Sequence, residues 1–131
     1  MKIILKLLIT CSILVMTSNV NAANKLMLFG DTNNSEYLGC LSCSEISPDS
    51  IHNTIGKYGS EISPLSIHNT IGKYGSSISK YSPCNTIANS PPVIVDEDGG
   101  FYGYLTLNSI LPKATNDQET LAWLKYKVCS N

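Results

Sequence analysis

Two β-hairpins are predicted from the order of apolar and polar positions along the chain. Residues 25–29 and 37–41 are rich in β-forming side chains, and the polar cluster of residues 30–35 separates them. Strand-forming segments on both sides of such a cluster are typical of a hairpin. We therefore expect the first hairpin before residue 42.

The second hairpin is predicted within residues 91–108. An apolar run at residues 93–95 is followed by an acidic, glycine-containing turn at residues 96–100, and aromatic and small side chains then alternate. The acidic turn does not have the spacing of a calcium-binding loop, because Gly100 falls where the third ligand should be. A solvated turn is the preferred interpretation.

A helix is predicted over residues 115–129. Thr115 or Asn116 is the expected cap, acidic residues lie in the first turn, and lysines lie in the last. Apolar side chains recur at helical spacing at Leu121, Leu124 and Val128, with Ala122 and Trp123 beside them. This stripe predicts that the helix packs on the sheet and presents Cys129 for a cross-link.

Between the hairpins the chain repeats itself with a period of 16 residues. Residues 44–59 and 60–75 differ only at Asp49 against Leu65, and a third, diverged copy begins at Ser76. Two and a half short copies are too few for a solenoid that stands alone. The repeats, residues 44–89, are therefore expected to pack on the flanking segments.

Each of the first two units carries its own start and stop signals. A serine followed by proline precedes the central segment, and a glycine follows it, so residues 48–55 and 64–71 are each predicted to form one or two helical turns. The predicted apolar face of the unit consists of Ile46, Ile51, Ile55 and Tyr58.

The first 22 residues have the three parts of a secretory signal peptide. Two lysines precede a short apolar run, and Val20, Asn21 and Ala22 form a site of the A-x-A type. The run is shorter than the about 20 residues that a membrane-spanning helix needs. We expect cleavage after Ala22, a secreted or periplasmic domain of residues 23–131, and no stable membrane insertion after cleavage.

The charge of the remaining chain argues against nucleic acid as a partner. Seven lysines and ten acidic residues follow Ala22, which gives a formal charge of −3, and the chain contains no arginine. Affinity for nucleic acid comes mainly from basic side chains at phosphates. A single domain of this size has a small core, so covalent cross-links are expected.

Four cysteines follow the predicted cleavage site: Cys40, Cys43, Cys84 and Cys129. An even number of cysteines in a short exported chain predicts disulfides. The sequence leaves all three pairings open. A bridge that closes several tens of residues would stabilise the fold by roughly 4 kcal/mol, and a very short one by about 2 kcal/mol.

Two other roles for these cysteines stay open as alternatives. Cys40 and Cys43 form a Cys-x-x-Cys pair, but a redox pair normally opens a helix, whereas a serine-rich turn follows here. Zinc is a second alternative, with Cys40, Cys43, Cys84 and either His52 or His68 as ligands. Only one pair of these residues has the close spacing of zinc ligands, so we expect no metal and no cofactor.

Catalysis is not favoured by the sequence. His52 and His68 occupy equivalent positions in the two copies, so duplication alone explains their number. No nucleophile, base and orienting residue appear in a recognisable motif. The alternative is a small secreted hydrolase that uses Cys or His with Asp96 or Asp98.

From residue 38 to residue 108 the chain resembles a group of short exported bacterial proteins. The shared features are a Leu-Gly-Cys-Leu-x-Cys opening, tandem units that end in Gly-x-Tyr-Gly-Ser, and a Pro-Pro-x-Ile-Val-Asp segment, here residues 91–96. The group tends to have tyrosine where this chain has Ile55 and Ile71, and tryptophan where it has His52 and His68. The resemblance implies no particular activity.

Together these features predict an α+β fold: a small, β-rich domain of two hairpins with short helical-turn repeats between them, a C-terminal helix and disulfide cross-links. The predicted function is a non-catalytic binding or structural module that contacts a protein or a cell-surface component. The predicted contact residues are Tyr58, Tyr74, Tyr102 and Tyr104.

Overall fold

The structure is a computed structural model, and it describes residues 24–130. The predicted signal peptide, residues 1–22, lies outside the described residues. Within residues 24–130, no helix has the length and apolar character needed to cross a membrane.

Both predicted hairpins are present, and they join in one four-stranded antiparallel sheet. The strands are β1 (Leu26–Gly30), β2 (Glu36–Cys40), β3 (Val93–Asp96) and β4 (Phe101–Tyr104), in the order β2-β1-β3-β4. The hairpins join through β1 and β3, where Leu28 lies opposite Ile94. The last strand ends at Tyr104, and three residues later the Leu107 N–H donates to the Pro83 carbonyl in the repeat region.

The C-terminal helix is present but shorter than predicted and differently capped. Helix α1 (Gln118–Trp123) continues as a π-helical segment over Leu124–Val128. Its cap is Asp117, and the prediction of Thr115 or Asn116 is wrong, because the Asp117 carboxylate is the group that accepts the Thr120 N–H at 2.9 Å. Leu124 and Val128 are buried in the core, as the apolar stripe predicted.

The repeats form consecutive β-turns, so the prediction of helical turns is wrong. All of residues 44–90 are described, and none of them is helical. Instead, the N–H of every third residue donates to the carbonyl three residues earlier, at 3.0–3.4 Å. The turn corners in the first copy are Ser44, Ser47, Ser50, Asn53, Gly56 and Gly59. Serine, asparagine and glycine favour turns over helix, because short polar side chains bond to nearby backbone and glycine adapts to tight geometry.

Five three-residue turns and one extra residue, at the step from Gly59 to Ser60, complete the 16-residue period. We call residues 44–59, 60–75 and 76–90 coils 1, 2 and 3. Coil 2 is tied to coil 1 by the Ser63 hydroxyl, which donates to the Lys57 carbonyl, and by His68 Nε2, which lies 2.8 Å from the Ile51 carbonyl oxygen. The repeats are therefore the coils of a short solenoid.

A fourth coil comes from outside the recognised repeats. Residues 105–114 follow the second hairpin and lie against coil 3: Leu107 N–H donates to the Pro83 carbonyl at 2.9 Å, and Asn108 Nδ2 donates to the Ala88 carbonyl at 2.8 Å. Turns from Asn108 to Leu111 and from Leu111 to Ala114 continue the three-residue step. The second hairpin is thus an insertion between coils 3 and 4.

The core lies where the coils meet the sheet and the helix. Its fully buried side chains include Leu28 and Leu38 from the sheet, Ile51 and Ile67 from coils 1 and 2, and Leu124 from the C-terminal segment. A parallel bridge between Cys40 and Ser50 joins coil 1 to the end of β2. The repeats therefore do pack on the flanking segments, as expected.

An asparagine side chain crosses each of the first three coils. In coil 2, Asn69 Nδ2 donates to the Ser63 carbonyl at 3.1 Å, and its Oδ1 accepts the Ile71 N–H at 3.3 Å. Asn53 and Asn85 make the same pair of bonds in coils 1 and 3. Gly75 passes so close that a Cβ atom there would lie 2.1 Å from the Asn69 carbonyl oxygen, so only glycine fits.

We expect Asn69→Ala to lower the free energy of unfolding by about 1–3 kcal/mol, because the Ser63 carbonyl and the Ile71 N–H lose their partly buried hydrogen bonds. Urea denaturation measures the change. Asn89→Ala, at an exposed position of coil 3, is the control and should change stability by no more than about 0.5 kcal/mol. Equal effects of the two substitutions would show that the asparagine does not hold the coil.

The one difference between the first two copies has a structural reason. Asp49 in coil 1 forms an ion pair with Lys25 at 2.7 Å and accepts the Tyr37 hydroxyl at 2.6 Å. Its counterpart in coil 2, Leu65, packs against the apolar core. Position 49 is therefore polar because coil 1, unlike coil 2, faces Lys25 and the hydroxyl of Tyr37.

We expect this contact to make the fold acid-sensitive. The hydrogen bonds from Lys25 and Tyr37 hold the pKa of the Asp49 carboxyl well below its usual range. The stabilisation is therefore complete above the unfolded pKa of about 4 and is lost as the pH falls toward the folded value. Asp49→Asn should cost roughly 1–2 kcal/mol at neutral pH and less in acid.

Urea denaturation of wild type and Asp49→Asn at neutral pH and near pH 3 measures this difference. Glu97→Gln, at an exposed site of the β3–β4 turn, is the control. A gap between wild type and Asp49→Asn that stays constant with pH would contradict the assignment.

Candidate functional site

All four predicted cysteines are paired, in two disulfides. Cys40 bonds to Cys43 within the opening of coil 1, and Cys84 of coil 3 bonds to Cys129 at the end of the helical segment. This is one of the three pairings that the sequence left open. The zinc hypothesis is wrong for this structure, because all three cysteines that it requires are in disulfides. Within residues 24–130, no group of three or more His, Cys, Asp or Glu side chains lies close enough to hold a metal ion.

The Cys40–Cys43 disulfide does not have the setting of a redox centre. Cys40 is fully buried and Cys43 is partly buried. Turns follow the pair where a helix N-terminus would lower a thiol pKa. The local environment is that of a structural cross-link at the junction of β2 and coil 1.

Both histidines are held by backbone carbonyls and a tryptophan. His52 Nε2 lies 2.9 Å from the Leu41 carbonyl oxygen, and His68 makes the equivalent bond to Ile51. A carbonyl oxygen only accepts, so Nε2 carries the proton in both rings. The Trp123 ring packs edge-on, with centroids 5.2 Å from His52 and 6.2 Å from His68.

This arrangement gives the histidines a packing role. Burial lowers the pKa of His68, which favours its neutral form. Among residues 24–130, neither imidazole is hydrogen-bonded to a carboxylate, a hydroxyl or a thiol. The Asp96 carboxylate of the hydrolase alternative is used elsewhere: it accepts the N–H groups of Asp98 and Gly100 and the Tyr102 hydroxyl, and so closes the β3–β4 turn.

The four predicted contact tyrosines do not form one surface. Tyr74 is 3% exposed and belongs to the core, so the prediction that it contacts a partner is wrong. Tyr58 is partly buried and packs on Tyr37 of the edge strand β2, with ring centroids 5.1 Å apart. Tyr102 and Tyr104 lie on β4, at the opposite edge of the sheet. Contact roles for these three remain predictions.

The prediction that Ile46 and Ile55 share one apolar face with Ile51 is wrong, because Ile51 is buried whereas Ile46 and Ile55 belong to an exposed surface of isoleucines. Seven of them are 82–94% exposed and lie at equivalent positions of successive coils. The first row is Ile46, Ile62 and Ile78. The second row is Ile55, Ile71, Ile87 and Ile110. Each occupies the third position of a β-turn, and its side chain projects from the solenoid into solvent.

The second row has a clear local cause. In every coil the asparagine Oδ1 accepts the N–H of the isoleucine two residues later, at 3.0–3.3 Å. This bond holds the intervening Thr or Ser and the isoleucine at the tip of the turn. The sequence contains a pattern that marks this second row: Asn-Thr-Ile occurs at residues 53–55, 69–71 and 85–87, and Asn-Ser-Ile occurs at residues 108–110.

The two rows border a common groove in coil 2. Its volume is about 570 Å³, and it is lined by Glu61, Ile62, His68, Asn69, Thr70 and Ile71. Ile62 of the first row and Ile71 of the second therefore face the same concavity. The rows are aliphatic, with exposed threonines beside the second row and exposed glutamates, Glu45 and Glu61, beside the first.

The chain was compared with protein-family models, with curated proteins and with solved structures, and none of them matches it. The candidate site therefore stands on its own geometry.

Proposed function

We propose that this chain is an exported, non-catalytic module that binds a protein surface through its two isoleucine rows. The observation that carries the proposal is the exposure of seven isoleucines at equivalent positions of four coils. Large exposed apolar patches are uncommon on monomeric soluble proteins and typically mark interaction sites. Hydrogen bonds from asparagine side chains hold the backbone of the second row at the tips of the turns, so the exposure of this row follows from the turn geometry.

Export to the periplasm or the cell exterior is supported by two observations. Disulfides persist in oxidising compartments, and the structure has two of them in a small domain. The expected signal peptide and the resemblance to short exported bacterial proteins agree with this location. An intact mass with free thiols and Met1 attached would contradict it.

A non-catalytic role is supported by what the reactive side chains are doing. The four cysteines are paired, the imidazoles bond to carbonyls, and the Asp96 carboxylate closes a turn. The isoleucine rows offer no group that titrates or attacks a substrate. What they offer is apolar surface, which contributes to binding roughly in proportion to the area removed from water.

Site-specific photo-crosslinking in the producing cell tests the proposal. A photoreactive residue replaces Ile71 in the second row, and in a control chain it replaces Tyr126, which is exposed on the C-terminal segment and belongs to neither row. We expect a discrete protein adduct from position 71 and none from position 126. No adduct at position 71, or the same adduct from both positions, would overturn the proposed function.

A further inference from the structure

We infer that the partner bound by the isoleucine rows is a second copy of this chain, so that the protein forms a symmetric dimer through its solenoid faces. The inference rests on the proposed function and names the partner of the same site. Three observations carry it: the repeat of the rows, their exposure, and the chemistry of the residues beside them.

The isoleucines of each row recur once in each successive coil. The same turns and the same asparagine bonds recur from coil to coil, so equivalent isoleucines are related by one repeated displacement. A partner that contacts every member of a row must present complementary sites with a matching repeat. A second copy of the solenoid has that repeat by construction, so the isoleucines of one copy can fit between those of the other.

The exposure of the rows suits the core of a protein interface. Interface cores are more apolar than the rest of a surface and are depleted in charge. Seven isoleucines that are at least 82% exposed supply such a core on each copy. In a two-fold dimer the same patch is used twice, so each side chain contributes on both sides of the interface.

The neighbouring chemistry disfavours two other occupants. Sugar-binding surfaces commonly use aromatic rings as platforms, whereas these rows are aliphatic throughout. Anionic membrane surfaces attract lysine and arginine, whereas the residues beside Ile46 and Ile62 are Glu45 and Glu61. A protein surface with aliphatic side chains of its own remains, and the second copy provides it.

Sedimentation velocity over a range of protein concentrations tests the inference. The full chain is expressed with its own leader and recovered in oxidised form from the fraction to which the cell exports it. We expect a concentration-dependent dimer in the wild type. We expect the double variant Ile62→Ser, Ile71→Ser to weaken the dimer by at least about 100-fold in Kd, since a symmetric interface loses each side chain twice.

Tyr126→Ser is the matched control, because it removes an exposed apolar side chain outside the rows and should leave the dimer unchanged. Circular dichroism checks that the variants fold, which is expected because Ile62 and Ile71 are 89% and 93% exposed. A wild type that stays monomeric, or a dimer that survives the double variant, overturns the inference. Equal weakening by Tyr126→Ser also overturns it.

If a different protein or a membrane binds the isoleucine rows, the experiments give different results. If the photo-crosslink from position 71 joins the chain to a different protein and the purified chain is monomeric, the dimer is wrong and the proposed function stands. If the purified chain binds vesicles of zwitterionic and anionic lipid in a manner that the double variant abolishes, the partner is a membrane and both proposals fail. An adduct of two copies of this chain supports both.

Discussion

Removal of the Cys84–Cys129 disulfide is expected to lower the free energy of unfolding by about 4 kcal/mol. The bridge spans a sequence separation of 45 residues, so its loss returns a large loop entropy to the unfolded chain. Cys84→Ser with Cys129→Ser makes the change without leaving a free thiol. Urea denaturation of this double variant and of the wild type measures it.

The Cys40–Cys43 disulfide provides the matched control. Its sequence separation is 3, so Cys40→Ser with Cys43→Ser should cost only about 2 kcal/mol. Both double variants remove one disulfide and add two serines, so the difference between their free energies of unfolding reports the effect of loop length. A cost for the short bridge that equals or exceeds that of the long bridge would contradict the expectation.

Ile67→Ala is expected to destabilise the fold by about 2–5 kcal/mol, because it leaves a cavity in a packed core. Ile67 is 1% exposed and lies in the cluster that joins coil 2 to the sheet and the helical segment. Ile71, four residues later in the same coil, is 93% exposed. Ile71→Ala should therefore change stability by no more than about 0.5 kcal/mol.

Chemical denaturation at low protein concentration measures both isoleucine variants. Low concentration matters because a dimer through the rows would add a concentration-dependent stability that Ile71→Ala reduces. Similar losses for the two variants in the monomer would mean that the second row is not free surface. A small loss for Ile67→Ala would mean that the coil contributes little to the core.

The hairpins and the C-terminal helix were predictable because their signals are local. The turn cluster at residues 30–35 and the acidic turn at residues 96–100 each separate two β-rich runs, and the structure pairs those runs. The apolar stripe with Leu124 and Val128 likewise correctly identified the buried face of the helical segment. How the two hairpins join was not predictable, because the pairing of β1 with β3 connects residues that are far apart in sequence.

The repeats show where local signals mislead. Serine, proline and glycine around residues 47–56 fit a short helix, but the same types also fit a chain of turns with a small residue at every third position. The three-residue step is visible in the sequence once Ser44, Ser47, Ser50, Asn53, Gly56 and Gly59 are aligned. The fourth coil could not be recognised from the sequence, because the second hairpin separates it from the other three.

Sequence patterns alone predicted the two hairpins, the 16-residue period and four cysteines that can pair. Which cysteines bond and which isoleucines are buried depends on packing between segments that are far apart in the chain. Ile67 and Ile71 have the same side chain in the same repeat, yet one lies in the core and the other in solvent. The physical reason is that a coil of turns projects side chains in several directions, and only the position of the sheet and helix fixes which of these directions is covered.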